Sequence, residues 1–187
     1  ELIFQPGDHI RFRRGGEWHG MLRFQGNGSA WSPITVEAYG EDGMPQIHGD
    51  GCYAAVLLEG VSHWRVKELA VTNEAETRSV RQGICICGSP QGITEDIVIE
   101  GCEISRVAGE NRRARDVYQS MYWNSGIYVT MPGRSSDKNH LHDIIISNNY
   151  VHDVLTSGIR VNQQEDFIND IHHTHVVVRG NRIERTG

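Results

Sequence analysis

The segment IIISNNYVHDVLTSGIRV, residues 144–161, contains two apolar runs separated by an asparagine pair, and it ends in a Gly-Ile-x-Val motif. The ending alternates apolar and polar residues, which is typical of a β-strand with one buried face. Asparagine and glycine tolerate the left-handed backbone that a tight corner between strands requires. The segment therefore predicts two strands joined by a two-residue corner, followed by a loop and a third strand.

Variants of this segment recur along the chain. Four segments start with an apolar residue and carry a second apolar residue five positions later; they begin at Val66, Ile99, Ile146 and Val178. The Gly-Ile motif follows three of them, at Gly83, Gly126 and Gly158. The four segments are spaced 33, 47 and 32 residues apart, which indicates a constant unit with insertions of variable length.

A repeat of this kind predicts an all-β solenoid in which each coil buries its apolar side chains against its neighbours. Long α-helices do not fit, because the apolar runs are short, rich in Ile and Val, and bounded by Gly and Asn. A β-sandwich is the structural alternative, but it does not explain why the same two motifs recur in the same order. We therefore expect a parallel β-helix of about five coils with long loop insertions.

The two motifs resemble the repeat of the right-handed, single-stranded parallel β-helix in the pectin-lyase-like superfamily. The N-terminal segments PGDHIRFRRGGEWHG (6–20) and SPITVEAYGEDGMPQIHG (32–49) are similar to the opening coils of its secreted bacterial carbohydrate-active members. The resemblance implies one domain over 1–187, with N-terminal coils in 1–60 and regular repeats in 61–187. The sequence stops after a corner where a further Gly-Ile strand is expected, so we expect a β-helix truncated at its C-terminal end.

Composition limits the classes of partner. The formal net charge of −6 and the pI near 5.9 oppose a general nucleic-acid-binding role. No apolar run approaches the roughly 18 residues of a membrane-spanning helix. The four cysteines lack metal-site spacing, and the chain opens at Glu1 without a basic-then-apolar leader. The resemblance implies secretion to the extracellular space or periplasm of a bacterium, with the signal peptide absent from this chain; the oligomeric state stays open.

In the superfamily, the Gly-Ile strands form the floor of a groove that binds polysaccharides or oligosaccharides. Carried over to this sequence, the outward positions form two rows, Cys85–Tyr128–Arg160 and Cys87–Thr130–Asn162. A tyrosine ring can pack on a sugar, and an arginine can bind a carboxylate through two hydrogen bonds. We therefore expect Tyr128, Thr130, Arg160 and Asn162 to contact substrate. The alternative is an ordinary solvated strand face.

Two sets of insertions are expected to form the walls of this groove. The segment 105–124 combines basic and aromatic residues with an acid; those expected at the site are Arg112, Arg113, Asp116, Tyr122 and Trp123. An insertion this long inside a compact solenoid is usually functional. The segments 132–143 and 163–175 contribute His142, Glu165 and Asp166 to the opposite wall.

Three functions remain open at this point. A glycoside hydrolase needs two carboxyl groups, for which Asp116, Glu165 and Asp166 are the leading candidates. A polysaccharide lyase needs a group that neutralises a uronate carboxylate, here Arg160, and a base such as Tyr128 or His142. A non-catalytic binding or structural module would use the same groove. Abundant loop acids and only two lysines favour hydrolysis.

The sequence predicts no metal-binding residues. The cluster His172, His173 and His175 lacks a recognised metal-binding pattern, so we interpret these residues as structural. Nearby acidic residues, Glu165, Asp166 and Asp170, offer oxygen ligands for Ca²⁺, which is the one cofactor that the sequence raises. Three tryptophans, Trp18, Trp31 and Trp64, are expected to pack the first coils.

Overall fold

The computed structural model describes residues 2–77, 79–108, 124–132, 139–162 and 173–187. These residues form seventeen β-strands, which wind repeatedly through three sheets. All strand pairs within the sheets are parallel, and each strand pairs with the equivalent strand of the next coil. The predicted parallel β-helix is therefore confirmed. No helix among the described residues has the length and apolar character that crossing a membrane requires.

The strands fall into five complete coils and the start of a sixth. The first sheet contains β1 (His9–Arg13), β4 (Ile34–Tyr39), β7 (Trp64–Lys67), β10 (Thr94–Glu100), β13 (Leu141–Ser147) and β16 (Thr174–Arg179). The second sheet contains β2 (Glu17–His19), β5 (Gln46–His48), β8 (Ala70–Asn73), β11 (Glu103–Val107), β14 (Tyr150–Val154) and β17 (Arg182–Thr186). The third sheet contains β3 (Leu22–Phe24), β6 (Ala54–Glu59), β9 (Gln82–Cys87), β12 (Ser125–Thr130) and β15 (Ser157–Val161).

Equivalent positions of the sequence repeat pair with one another in the sheets. Val66, Ile99, Ile146 and Val178 pair as one row of the first sheet. The apolar residues five positions later pair as one row of the second sheet. In the inner coils these inward side chains are buried and fill the solenoid, and burying each aliphatic side chain stabilises the fold by about 1.5–3 kcal/mol. In the last coil, Val178 and Ile183 are 47% and 46% exposed.

Aromatic packing closes the first coils on the inside. Trp64 is fully buried, stacks on Phe24 with ring centroids 5.1 Å apart, and donates its indole N–H to the Gly26 carbonyl at 3.0 Å. Trp18 is half-buried and packs against the core. The expectation for Trp31 is wrong, because its side chain is 96% exposed. It lies in a turn before β4 and not on an inward strand position.

The corner between the first and second sheets has two residues in each regular coil. Its first residue has a left-handed backbone in all four copies: φ is 55° at Glu68, 64° at Gly101, 58° at Asn148 and 63° at Gly180. Glycine and asparagine adopt this conformation at little cost, as the sequence predicted. Glu68 adopts the same left-handed conformation in the first of the four copies, whose sequence matches the repeat least.

The second corner residue turns inward and links successive coils. Asn149 is 1% exposed, and its side-chain amide donates to the Ile99 carbonyl at 3.1 Å and to Asn181 Oδ1 at 2.9 Å. Asn149 Oδ1 accepts from the Cys102 N–H at 2.9 Å. Asn181 repeats the pattern by donating to the Ile146 carbonyl at 2.9 Å. This asparagine ladder therefore satisfies buried backbone groups that the corner leaves unpaired.

The glycines of the Gly-Ile motif serve close packing and not a turn. None of the three has a positive φ. A Cβ atom built on each would lie 2.5 Å from a methyl carbon of the second sheet: Ile104 for Gly83, Val151 for Gly126 and Ile183 for Gly158. The second and third sheets approach too closely there for any side chain.

A buried arginine fixes the connection between the second and third sheets. Arg81 is 2% exposed, and its guanidinium donates to the carbonyls of Gly51, Thr77 and Ala108. Its backbone N–H donates to Asn124 Oδ1 at 2.8 Å. Ala108 and Asn124 are the two ends of the insertion 109–123, so Arg81 ties both ends of that insertion to the preceding coils.

Replacing Asn149 with alanine is expected to lower the free energy of unfolding by about 2–4 kcal/mol, because the Ile99 carbonyl and Cys102 N–H lose their buried partner. Urea denaturation measures the change. Asn148→Gly is the control, since it keeps the left-handed corner and should change stability by no more than about 1 kcal/mol. Equal effects of the two variants would contradict the ladder as the source of stability.

Arg81→Met keeps the length of the side chain but removes all its donors, so we expect a loss of about 2–4 kcal/mol in the same measurement. Faster proteolytic cleavage within 109–123 should accompany it. Arg13→Met, at an exposed position of β1, should change stability by about 0.5 kcal/mol or less. Unchanged stability in Arg81→Met would mean that the buried hydrogen bonds are not needed.

Candidate functional site

The outer face of the third sheet carries one continuous row of side chains. Arg23, Leu57, Cys85, Tyr128 and Arg160 pair in register across five successive strands. Equivalent residues of neighbouring strands lie about 4.8 Å apart. The alignment of Cys85, Tyr128 and Arg160 that the motif implied is therefore present.

The middle of this row is apolar and buried. Leu57, Cys85 and Tyr128 are 6%, 0% and 3% exposed, and with Ala54 they form a second apolar cluster outside the solenoid interior. Burial raises the pKa of the Tyr128 hydroxyl, an effect that Thr130 and the charge of Arg160 partly offset. Burial likewise raises the pKa of the Cys85 thiol. Both groups therefore stay protonated at neutral pH. That the Tyr128 ring packs on a sugar stays a prediction.

The C-terminal end of this face is polar. Arg160, Thr130 and Asn162 are partly exposed, and Arg160 Nη2 donates to Asn162 Oδ1 at 3.5 Å. The Asn162 N–H donates to the Val129 carbonyl at 2.8 Å, which extends the sheet beyond β15 and fixes the asparagine on its edge. The guanidinium and the amide together offer donors and an acceptor for sugar hydroxyls or a carboxylate. We call Thr130, Arg160 and Asn162 the polar patch.

In chain order, insertions adjoin both strands that carry the polar patch. The segment 109–123 lies between β11 and β12, whereas 133–138 and 163–172 lie between the third and first sheets. The predicted site residues in these segments lie outside the described residues: Arg112, Arg113, Asp116, Tyr122, Trp123, Glu165 and Asp166. The proposed Ca²⁺ ligands lie outside them as well. The two walls of the groove therefore stay a prediction.

His142 occupies a different sheet. It lies on the outer face of the first sheet, in register with Glu95 and Thr174. Its Nδ1 lies 2.7 Å from Thr174 Oγ1, and its Nε2 lies 3.2 Å from Asp143 Oδ2. His142 therefore does not share a strand face with Arg160.

The two described members of the histidine cluster have different neighbours. His173 lies between coils, with its Nδ1 3.4 Å from the Leu141 N–H nitrogen and its Nε2 3.4 Å from the Asn162 carbonyl. His175 is exposed and pairs with Asp143. The two rings have different partners and do not converge on a common point. His172 lies outside the described residues.

One pocket was missed by the sequence reasoning. A pocket of about 390 Å³ lies beyond the end of the second sheet, and its charged lining residues are Glu74, Arg106, Asp153 and Arg185. Arg106, Asp153 and Arg185 each lie two positions after the inward apolar residue of their strand, and each has a φ near 50°. Aligning the repeat at that offset would have brought Arg106, Asp153 and Arg185 together.

The charges of this pocket are paired. Glu74 Oε1 lies 3.1 Å from Arg106 Nε, and both Asp153 oxygens accept from Arg185. The Arg185 guanidinium and His152 hold the pKa of the Asp153 carboxyl far below its usual range. Asp153 is therefore an anion at neutral pH and is unsuited to donate a proton. Ala108 also lines the pocket, which places it beside the start of the insertion 109–123.

No family model matches the sequence, and no curated protein matches it either. Solved structures do match. The native lacto-N-biosidase of family GH136 from Eubacterium ramulus has a TM-score of 0.69 at 17% identity, covering 96% of this chain and 36% of that one. Its selenomethionine derivative gives 0.75 at 18% identity, covering 100% and 37%.

An alginate lyase from Paenibacillus sp. str. FPU-7 matches with a TM-score of 0.44 at 16% identity, covering 97% of this chain and 59% of that one. The present chain thus spans little more than a third of the lacto-N-biosidase chains. At these identities the likeness to the lacto-N-biosidase shows a common fold. The chain therefore shares its parallel β-helix with a carbohydrate-active enzyme.

Proposed function

We propose that this chain acts in glycan degradation, as a glycoside hydrolase whose substrate binds over the polar patch of the third sheet. The observation that carries the proposal is the partly exposed polar patch, in which Arg160 Nη2 donates to Asn162 Oδ1 and which insertions adjoin in chain order. The common fold with the lacto-N-biosidase, over the full length of this chain, supports it. Secretion from a bacterium is part of the same proposal.

The polar patch would bind the sugar and the insertions would supply the chemistry. Arg160 and Asn162 lie two positions apart at the end of β15 and present directional donors side by side, so they can orient sugar hydroxyls. Hydrolysis needs an acid and a second carboxylate on opposite sides of the scissile bond. Asp116 from one wall, with Glu165 or Asp166 from the other, would satisfy this requirement. Tyr122, Trp123, Arg112 and Arg113 would add contacts along the sugar chain.

Elimination is the second candidate reaction, because Arg160 can also neutralise a uronate carboxylate. The elimination reaction also needs a base that removes a proton from the sugar, and neither predicted base fits well. Burial raises the pKa of Tyr128, so little phenolate forms at neutral pH. His142 lies on another sheet. A binding module without turnover would use the same patch and would need no carboxylate pair.

We expect the protein to release reducing ends from a neutral or acidic glycan without forming the ultraviolet-absorbing unsaturated uronates of elimination. The variants Asp116→Asn, Glu165→Gln and Asp166→Asn should be assayed singly. Replacing either of the two catalytic carboxylates should lower kcat by about 10²–10⁴-fold. A C-terminally extended form should be assayed in parallel. New unsaturated uronates would instead establish elimination. Glycan binding without products in both forms would establish a binding module.

Arg160→Ala is expected to lower kcat/KM by about tenfold to a hundredfold, because a charged hydrogen bond to substrate is worth about 1.5–3 kcal/mol. The matched control is Arg23→Ala. Arg23 belongs to the same row four strands away and pairs with Glu59 at 2.6 Å on an exposed surface. Glycan affinity measured by calorimetry should fall only in Arg160→Ala. Equal losses in both variants would contradict binding at the polar patch.

A further inference from the structure

The outer face of the second sheet gathers two histidines and a glutamate in the first two coils. Trp18 points inward and packs edge-on against Phe12 with ring centroids 4.8 Å apart, so its neighbours Glu17 and His19 point outward. In β5 the fully buried Ile47 likewise turns His48 outward. The pairing of β2 with β5 then places His19 directly beside His48.

The three side chains converge. One potential ligand atom from each of Glu17, His19 and His48 lies within 4.8 Å of the other two. The two imidazole rings stack, with centroids 4.9 Å apart and an interplanar angle of 26°. Among the described residues, Glu17 has no ion-pair partner. Its carboxylate is therefore available at the edge of the ring pair.

Hydrogen bonds orient both rings through the same nitrogen. His19 Nδ1 lies 2.9 Å from Asp50 Oδ2, and His48 Nδ1 lies 2.9 Å from the hydroxyl of buried Thr72. When Nδ1 carries the proton of such a bond, the lone pair of neutral imidazole is on Nε2. A carboxylate or hydroxyl that holds Nδ1 while Nε2 binds a cation is the usual arrangement around metal-binding histidines.

We propose that Glu17, His19 and His48 form a binding site for a divalent transition-metal ion of the zinc class. Two imidazoles and one carboxylate are ligands that Zn²⁺ accepts, whereas Ca²⁺ and Mg²⁺ prefer oxygen ligands alone. Tetrahedral zinc with bonds of about 2.0–2.1 Å holds two ligand atoms about 3.3–3.4 Å apart. The ligand atoms lie within 4.8 Å of one another, so they need to approach by up to about 1.5 Å, which the exposed side chains of Glu17 and His19 allow.

The site would clamp the N-terminal edge of the solenoid. β2 is a three-residue edge strand, and its partner in the second sheet is β5. An ion held by Glu17 and His19 from β2 and by His48 from β5 would join these two strands side chain to side chain. It lies on a different sheet from the polar patch and at least two coils away, so the site is independent of the proposed glycan chemistry.

The test is titration of ZnCl₂ into tag-free, chelator-treated protein, followed by isothermal calorimetry and thermal unfolding. We expect one Zn²⁺ per chain and a rise in Tm of at least about 4 °C at a hundredfold excess over Kd. His19→Ala and His48→Ala should each weaken binding at least about tenfold, and Asp50→Asn should weaken it by about tenfold through loss of the Nδ1 partner.

The matched control is His9→Ala. His9 lies on β1 of the same first coil and has its own carboxylate partner, Glu37, at 3.0 Å, but it does not touch the three ligands. This variant should bind Zn²⁺ with unchanged affinity. All variants should unfold in chelator at the temperature of the unaltered protein, which shows that they fold. Absence of saturable uptake, or equal weakening in His9→Ala, would overturn the proposal.

Discussion

The return of the chain to the same register at each two-residue corner is the constraint on which the whole solenoid depends. The left-handed backbone of Asn148 turns the chain from the first sheet into the second, and the inward Asn149 then satisfies backbone groups of the preceding coil. Because the corner has constant length, Ile146 always meets Ile99 on one side and Val151 meets Ile104 on the other. One slipped residue would turn these aliphatic side chains outward, so the corner holds the core together.

In the regular coils this corner has a constant length, so the length of the chain varies only in the other connections. In the regular coils the longest insertions come directly before or after a strand of the third sheet, and Arg81 and the motif glycines fix the position of that sheet. A rigid face bounded by variable loops is the usual arrangement of a binding site on a stable scaffold. The fold thereby allows the insertions to change without disturbing the register.

Parallel stacking also brings side chains from distant parts of the sequence to within about 4.8 Å of one another. Rows of like charge would be unfavourable, and the row that lines the pocket alternates instead: Glu74, Arg106, Asp153 and Arg185 follow one another along the solenoid. The same stacking places His48 beside His19 and Arg160 beside Tyr128. Pocket, proposed metal site and polar patch are thus three consequences of one geometric rule.

The sequence by itself determined the repeat, the parallel β-helix, the left-handed corners and the pairing of Cys85, Tyr128 and Arg160, because strand alternation and corner chemistry are local properties that recur with each coil. Tertiary structure decided what the local pattern does not contain. Burial of Tyr128 and exposure of Trp31 depend on neighbouring coils, and His142 proved to lie on another sheet from Arg160. The convergence of Glu17, His19 and His48 depends on the pairing of β2 with β5, in coils where the sequence repeat is too weak to show the register.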